Sequence, residues 1–108
     1  MVSGMETFTI RARARAPLPG TGRQAIVGVV ASGNLEILLE RSETDNDVVV
    51  DVATSARGFR AVWEAVVADF VTRSSPGGVR FSIHDNGARP DTVTLRLLQG
   101  VKLLETQP

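Results

Sequence analysis

Cysteine is absent from these 108 residues. The chain by itself can build no disulfide, no thiolate metal site and no cysteine nucleophile. Histidine occurs once, at His84. A histidine-rich metal site is therefore excluded, and any histidine-dependent triad would have a single possible base. Neither sign of charge is in excess: 12 Lys plus Arg balance 12 Asp plus Glu, for a formal net charge of zero. A general nucleic-acid binder needs a surplus of cations against phosphates, so that class is excluded as well. No apolar run approaches the length of a membrane span. The opening stretch, MVSGMETFTI, lacks a basic region followed by a hydrophobic one and does not read as a secretory signal. The reading is of a cytoplasmic protein, bound to neither nucleic acid nor membrane, whose side chains hold almost none of the usual groups of enzymes.

What is present is a foldable core. Apolar residues make up 43% of the chain, ordinary for a globular protein. The length predicts one domain over residues 1–108, burying roughly two thirds of its unfolded surface. Residues 1–5 read as a mobile end. Residues 6–15, ETFTIRARAR, alternate, with Phe8, Ile10, Ala12 and Ala14 on one side and Thr7, Thr9, Arg11, Arg13 and Arg15 on the other. That is the pattern of a half-buried strand. PLPGTG breaks it, because Pro17 and Pro19 cannot donate to a ladder. Residues 48–53, VVVDVA, read as a strand with Val48, Val50 and Val52 inward.

Ser55 is a plausible helix N-cap. After it, Phe59, Val62, Trp63, Val66, Val67 and Phe70 fall on one helical face, and Pro76 stops the helix near Arg73. GVRFSIHD alternates through Val79, Phe81 and Ile83, and TVTLRLL through Val93, Leu95 and Leu97, so both read as strands. Beyond Leu98 the pattern fits a strand or a terminal helical turn, and the helical turn is preferred. The expected fold is α+β: a mostly antiparallel sheet, a hairpin plus further strands, packed against one amphipathic helix, with a possible short C-terminal helix.

The hairpin is IVGVVASGNLEILLE, residues 26–40. A two-residue turn at Gly33-Asn34 suits it. That turn opposes Ser32 to Leu35, Val30 to Ile37 and Gly28 to Leu39, with Val29 against Leu38. Ser32 then lies at the outer rim of the Leu35 and Ile37 side. Serine is common in turns, where its hydroxyl bonds nearby backbone. No base is placed beside it, so a hydrolase nucleophile is not expected.

Two segments carry a family pattern. VGVVASGNLEILLE resembles the modification segment of the acyl carrier (delta) subunit of malonate decarboxylase, through Val29, Val30, Ser32, Gly33, Asn34, Leu35, Glu36, Ile37 and Leu38. IHDNGARPDTVTLRL resembles a second run of the same family, and Trp63 stands on the intervening helix. The resemblance extends over nearly the whole chain from Met5. It implies that Ser32 is the attachment point of 2'-(5''-phosphoribosyl)-3'-dephospho-coenzyme A, joined through a phosphodiester, with Gly33 and Asn34 as the supporting turn. Asn34 stands where aspartate is common in the family. It implies a non-catalytic carrier of acetyl and malonyl thioesters, whose thiol is borrowed from the arm. The implied partners are a transferase (alpha) subunit, a decarboxylase (beta and gamma) pair, a prosthetic-group transferase and a malonyl transacylase. The citrate lyase acyl carrier is similar through Asp85, Gly87 and Ala88, while His84 and Pro90 favour the malonate family.

Two further readings stay open on the residues alone: an unmodified interaction module of an enzyme complex, and a small standalone enzyme. His84 reads as a surface or loop-anchoring residue or as a neighbour of the arm. Asp85 reads as capping the turn after it. Arg11, Arg13 and Arg15 read as a solvated guard on an edge strand. Alternatively they contact an acidic partner or the diphosphate of the arm.

Overall fold

The computed structural model describes residues 4–107. Of the expected mobile end, residues 1–3 lie outside the described residues. The alternating segments form β1 (Glu6–Arg13), β2 (Gln24–Gly28), β3 (Asn34–Glu40), β4 (Asp47–Thr54) and β5 (Arg80–Asn86), with α1 (Arg60–Ser74) before β5 and α2 (Pro90–Thr106) after it. One sheet runs in the order β1-β4-β5-β3-β2. Three pairings are antiparallel, and β4 and β5 are parallel. A parallel pair needs a crossover, and α1 supplies it. The expected α+β class and mostly antiparallel sheet are therefore observed.

Both helices cover one face of the sheet. Strand alternation sends Leu35, Ile37, Leu39, Val50, Phe81 and Ile83 into that face, each buried. Trp63, Val67, Phe70 and Val71 meet them from α1, and the Phe70 and Phe81 rings pack edge to face with centroids 5.6 Å apart. The opposite face is open and polar, carrying Thr9, Glu36, Asp51, Ser82 and His84. At one end of it Arg80 bridges Glu43 and Asp51. The hydrogen bonds to Asp51 and then Glu43 hold that guanidinium above its ordinary pKa.

Four expectations are corrected. The strand read at TVTLRLL is helix, and the short terminal turn read after Leu98 is the second half of a 17-residue helix. Pro90 occupies a first-turn position, where its missing N–H costs nothing, and Asp91 complements the helix dipole. Val93, Leu97, Gly100, Val101 and Leu104 are buried at helical spacing, whereas Leu95, inward in a strand, is 50% exposed. The sheet thus carries two covering helices rather than one.

Ser55 is not an N-cap. α1 begins at Arg60 behind Phe59, with no side-chain cap. The Ser55 backbone N–H instead donates to the Asp85 carbonyl, and its hydroxyl to Asn86 Oδ1 at 2.9 Å. Phe59 and Val62 leave the buried stripe, at 51% and 43% exposed. The hairpin register is the fourth correction and is treated with the site.

Because Leu97 is buried under the helix and Leu95 is half-exposed, Leu97→Ala leaves a cavity between helix and sheet and destabilises by ~2–5 kcal/mol, while Leu95→Ala costs about 0.5 kcal/mol or less. Urea denaturation of the two variants measures the contrast. Equal large losses would indicate a strand.

Candidate functional site

β2 stops at Gly28, and β3 starts at Asn34, so the hairpin ends in a loop of residues 29–33. Gly28 has φ +82, and a Cβ there would collide with the Leu35 carbonyl oxygen. No other residue fits this bend, and the bend ends the ladder. The observed partners are Val27 with Ile37, Ala25 with Leu39 and Ile26 with Leu38. The expected pairing of Gly28 with Leu39 is thus displaced by three residues. An odd displacement exchanges the two faces. Ala25 is buried and Val27 half-buried over the core, while Ile26 faces solvent at 58% exposed.

The tip turn is also shifted from the one read at Gly33-Asn34. The Asn34 N–H donates to the Ala31 carbonyl at 2.9 Å, so Ser32 and Gly33 are the central residues. Gly33 has φ +75 and Ser32 has no positive φ, the signature of a type II turn. Asn34 opens β3, and its Oδ1 accepts the Leu35 N–H at 2.8 Å. Ser32 is exposed, and its hydroxyl has no hydrogen-bond partner among the described residues. The usual service of a turn serine, bonding nearby backbone, is therefore not performed here.

Among the described residues, one backbone hydrogen bond ties the loop to an element beyond its own hairpin. The Gly33 N–H donates to the Asn86 carbonyl at 2.7 Å. Asn86 pairs with Asn34 across β3 and β5, its Oδ1 accepts the Ser55 hydroxyl at 2.9 Å, and its neighbour Asp85 is 2% exposed. The Asp85 carboxylate accepts from Thr54 Oγ1 at 2.7 Å, the Ala88 N–H at 2.9 Å and the Gly87 N–H at 3.1 Å. The expected turn cap at Asp85 is observed. Its bond to Thr54 was missed, and with the two 31 positions apart no local signal could have found it. Arg96, on α2, packs against the root of the loop at Gly28. Its Nη1 donates to Gln99, and its Nε is buried without a partner.

Other residues considered from sequence fall elsewhere. His84 is exposed on the open face of β5, opposite Glu36. β1, the far edge from β2, carries Arg11 and Arg13, and it ends at Arg13, so Arg15 of the expected 6–15 strand lies beyond it. Arg13 pairs with Asp47 at 2.9 Å, at the end of the sheet away from Ser32, and Arg15 reaches the Thr72 carbonyl at 3.1 Å. Among the described residues no cluster of three or more His, Cys, Asp or Glu could hold a metal. No described helix is long and apolar enough to cross a membrane. The site thus offers an unpartnered primary alcohol on a braced turn, with no base beside it. That chemistry suits a group being attached there and does not suit nucleophilic catalysis.

Comparison with known proteins gives a consistent result. Residues 22–104 match the family model for the acyl carrier protein, malonate decarboxylase delta subunit (MdcD). The chain is 56% identical over 98 residues to the malonate decarboxylase acyl carrier protein of Bradyrhizobium diazoefficiens, covering 91% of this chain and 93% of that one. It is 45% identical over 101 residues to the protein of the same name from Xanthomonas axonopodis pv. citri, covering 94% and 96%. A chain of the crystallised Pseudomonas malonate decarboxylase hetero-tetramer in complex with malonate superposes with a TM-score of 0.79 at 33% identity, covering 92% of this chain and 98% of that one.

Two stability measurements test the bracing. Gly28→Ala meets both the strained φ and the Leu35 carbonyl, whereas a Cβ at Gly33 meets nothing within 4 Å. Gly33→Ala is expected to cost ~1–2 kcal/mol for its backbone alone, and Gly28→Ala clearly more. Asp85→Ala strands a buried hydroxyl and two N–H groups and is expected to cost ~2–4 kcal/mol. Amide exchange at Gly33 should accelerate in Asp85→Ala, and an unchanged Gly33 rate would remove the link between corner and loop.

Proposed function

The chain belongs to the malonate decarboxylase delta-subunit (MdcD) family and is an acyl carrier subunit rather than a catalytic one, and from that premise we propose that Ser32 is where its prosthetic group is attached. The group is 2'-(5''-phosphoribosyl)-3'-dephospho-coenzyme A, joined to Ser32 Oγ through a phosphodiester. It supplies the thiol on which acetyl and malonyl units are carried as thioesters, which a chain without cysteine cannot provide. The single observation that carries the assignment is the exposed Ser32 hydroxyl, unpartnered at the tip of a braced loop.

The residues present fit such a group. Gly33 has open space where a side chain would stand, so a transferase can reach the adjacent hydroxyl. Gly33 and Asn34 hold the turn. Arg96 packs at the loop's root by Gly28 and places a cation on the same end of the hairpin. Because the Gly33 N–H is bonded to the Asn86 carbonyl, the turn that carries the attachment atom is tied to the sheet.

The protein's contribution is proximity. A substrate tethered at Ser32 meets each partner site at high effective concentration without diffusing through solution. The partners on this reading are the transferase (alpha) and decarboxylase (beta and gamma) subunits, with a prosthetic-group transferase and a malonyl transacylase acting on the carrier in the cytoplasm. The hetero-tetrameric state of the Pseudomonas neighbour supports assembly with other decarboxylase subunits.

Intact mass of the chain purified from its native host is expected to exceed the sequence mass by the attached group. The increment should vanish in Ser32→Ala, with unchanged stability and complete loss of malonate turnover by the assembled complex. An active native complex with a bare Ser32 overturns the assignment and leaves an unmodified interaction module.

A further inference from the structure

The N-termini of α1 and α2 meet at the same end of the sheet as Ser32, and an open cleft lies between them. Its volume is about 300 Å³. Phe59, Val62, Trp63 and Val66 line one wall, Val93 and Pro90 the other, and Asp85 stands at the floor. The Asn86 carbonyl that anchors Gly33 is followed directly by Gly87, which lines the cleft. The anchor of Ser32's turn and the cleft lining are thus consecutive residues of one chain segment. Phe59 and Val62 at the rim are half-exposed apolar side chains, left uncovered among the described residues.

Resting on the carrier reading above, we infer that this cleft shelters the acyl end of the arm in its acetyl form and excludes it in its malonyl form. The walls are apolar, so a methyl and its thioester gain by leaving water. A malonyl carboxylate entering the same space would lose its hydration and come beside the buried Asp85 carboxylate. All three donors around Asp85 are already engaged by that carboxylate. Like charges in a desolvated site repel, and the donors nearest Asp85 are spent on it. Arg89 is the one cation lining the cleft, but it is solvent-exposed and faces Asp91 at 3.5 Å. An exposed ion pair at that rim is too weak to offset burial of a second carboxylate. The cleft thus reads the acyl group by its charge, and decarboxylation or transfer switches the arm between a folded-back and a free position.

Trp63 is the chain's single tryptophan and a wall of the cleft, which makes it a reporter. The test uses full-length carrier from the native host, its mass increment verified, prepared in free-thiol, acetyl and malonyl forms. Trp63 emission and the amide shifts of Val62 and Val93 are compared between forms. Hydroxylamine cleavage of each thioester is normalised to the same thioester of free coenzyme A. The acetyl form is expected to move the Trp63 and Val62 signals and to resist hydroxylamine roughly tenfold. The malonyl form should match the free thiol in signals and show no protection. Val62→Asp, at an exposed position, should abolish acetyl protection, and Phe59→Ser opens the same rim should that variant fold poorly. Identical Trp63 signals and equal protection in acetyl and malonyl forms overturn the cleft reading while the mass increment preserves the carrier reading. A missing increment on Ser32 in the active complex overturns both.

Discussion

The site depends on one backbone hydrogen bond, from the Gly33 N–H to the Asn86 carbonyl. The loop of residues 29–33 has left its ladder at Gly28, and its apolar residues Val29 and Val30 are exposed rather than packed. Alone it would hold Ser32 loosely. The bond joins the tip to the corner between β5 and α2. That corner is the most tightly bonded polar feature nearby, with Asp85 gripping Thr54, Gly87 and Ala88 at once. A hydrogen bond to a charged acceptor is worth about 1.5–3 kcal/mol, and several converge here. The corner on which Gly33 is anchored is thus stiffened by a carboxylate that never touches Ser32.

Most of the scaffold was legible because its segments obey one period each. β1 and β5 alternate, and the residues read as inward in β1, β4 and β5 face the core, with Val49 of β4 buried as well. α2 was misread because its apolar residues satisfy two periods. Val93, Leu95 and Leu97 alternate, while Val93, Leu97, Val101 and Leu104 follow a helix. Threonines at 92 and 94 add β propensity. Pro90 and Asp91 argue for a helix start, and tertiary fit decides the matter, since Gly100 lets α2 approach Leu39 closely. Propensity is a weak prior against such packing.

The hairpin register failed for a different reason. A glycine-containing dipeptide between apolar runs is a fair turn signal, and Gly33-Asn34 is one. The deciding residue was Gly28, five positions earlier, whose need for a left-handed bend depends on the Leu35 carbonyl across the ladder. That contact is invisible in one dimension. Ser32 could still be singled out, because its exposure at the tip survives a change of register. The arginine stripe was legible as an edge feature, and the far edge is where Arg11 and Arg13 stand.

A carrier has to hold its cargo weakly. The fraction of arm left free sets how strongly a partner site appears to bind it. On the proposed reading, a roughly tenfold preference for the cleft leaves about one tenth of the acetyl arms free, which lowers a partner's apparent affinity for them about tenfold. A malonyl arm, excluded by Asp85, keeps its full affinity. A deep, closed cavity would withdraw the acetyl arm from partners altogether. The half-exposed Phe59 and Val62 leave the cleft shallow and open, so the gain on entry stays at the scale of a few buried carbon atoms. Openness at the rim is then a requirement of carriage, and it explains why apolar side chains on the first turn of α1 face solvent.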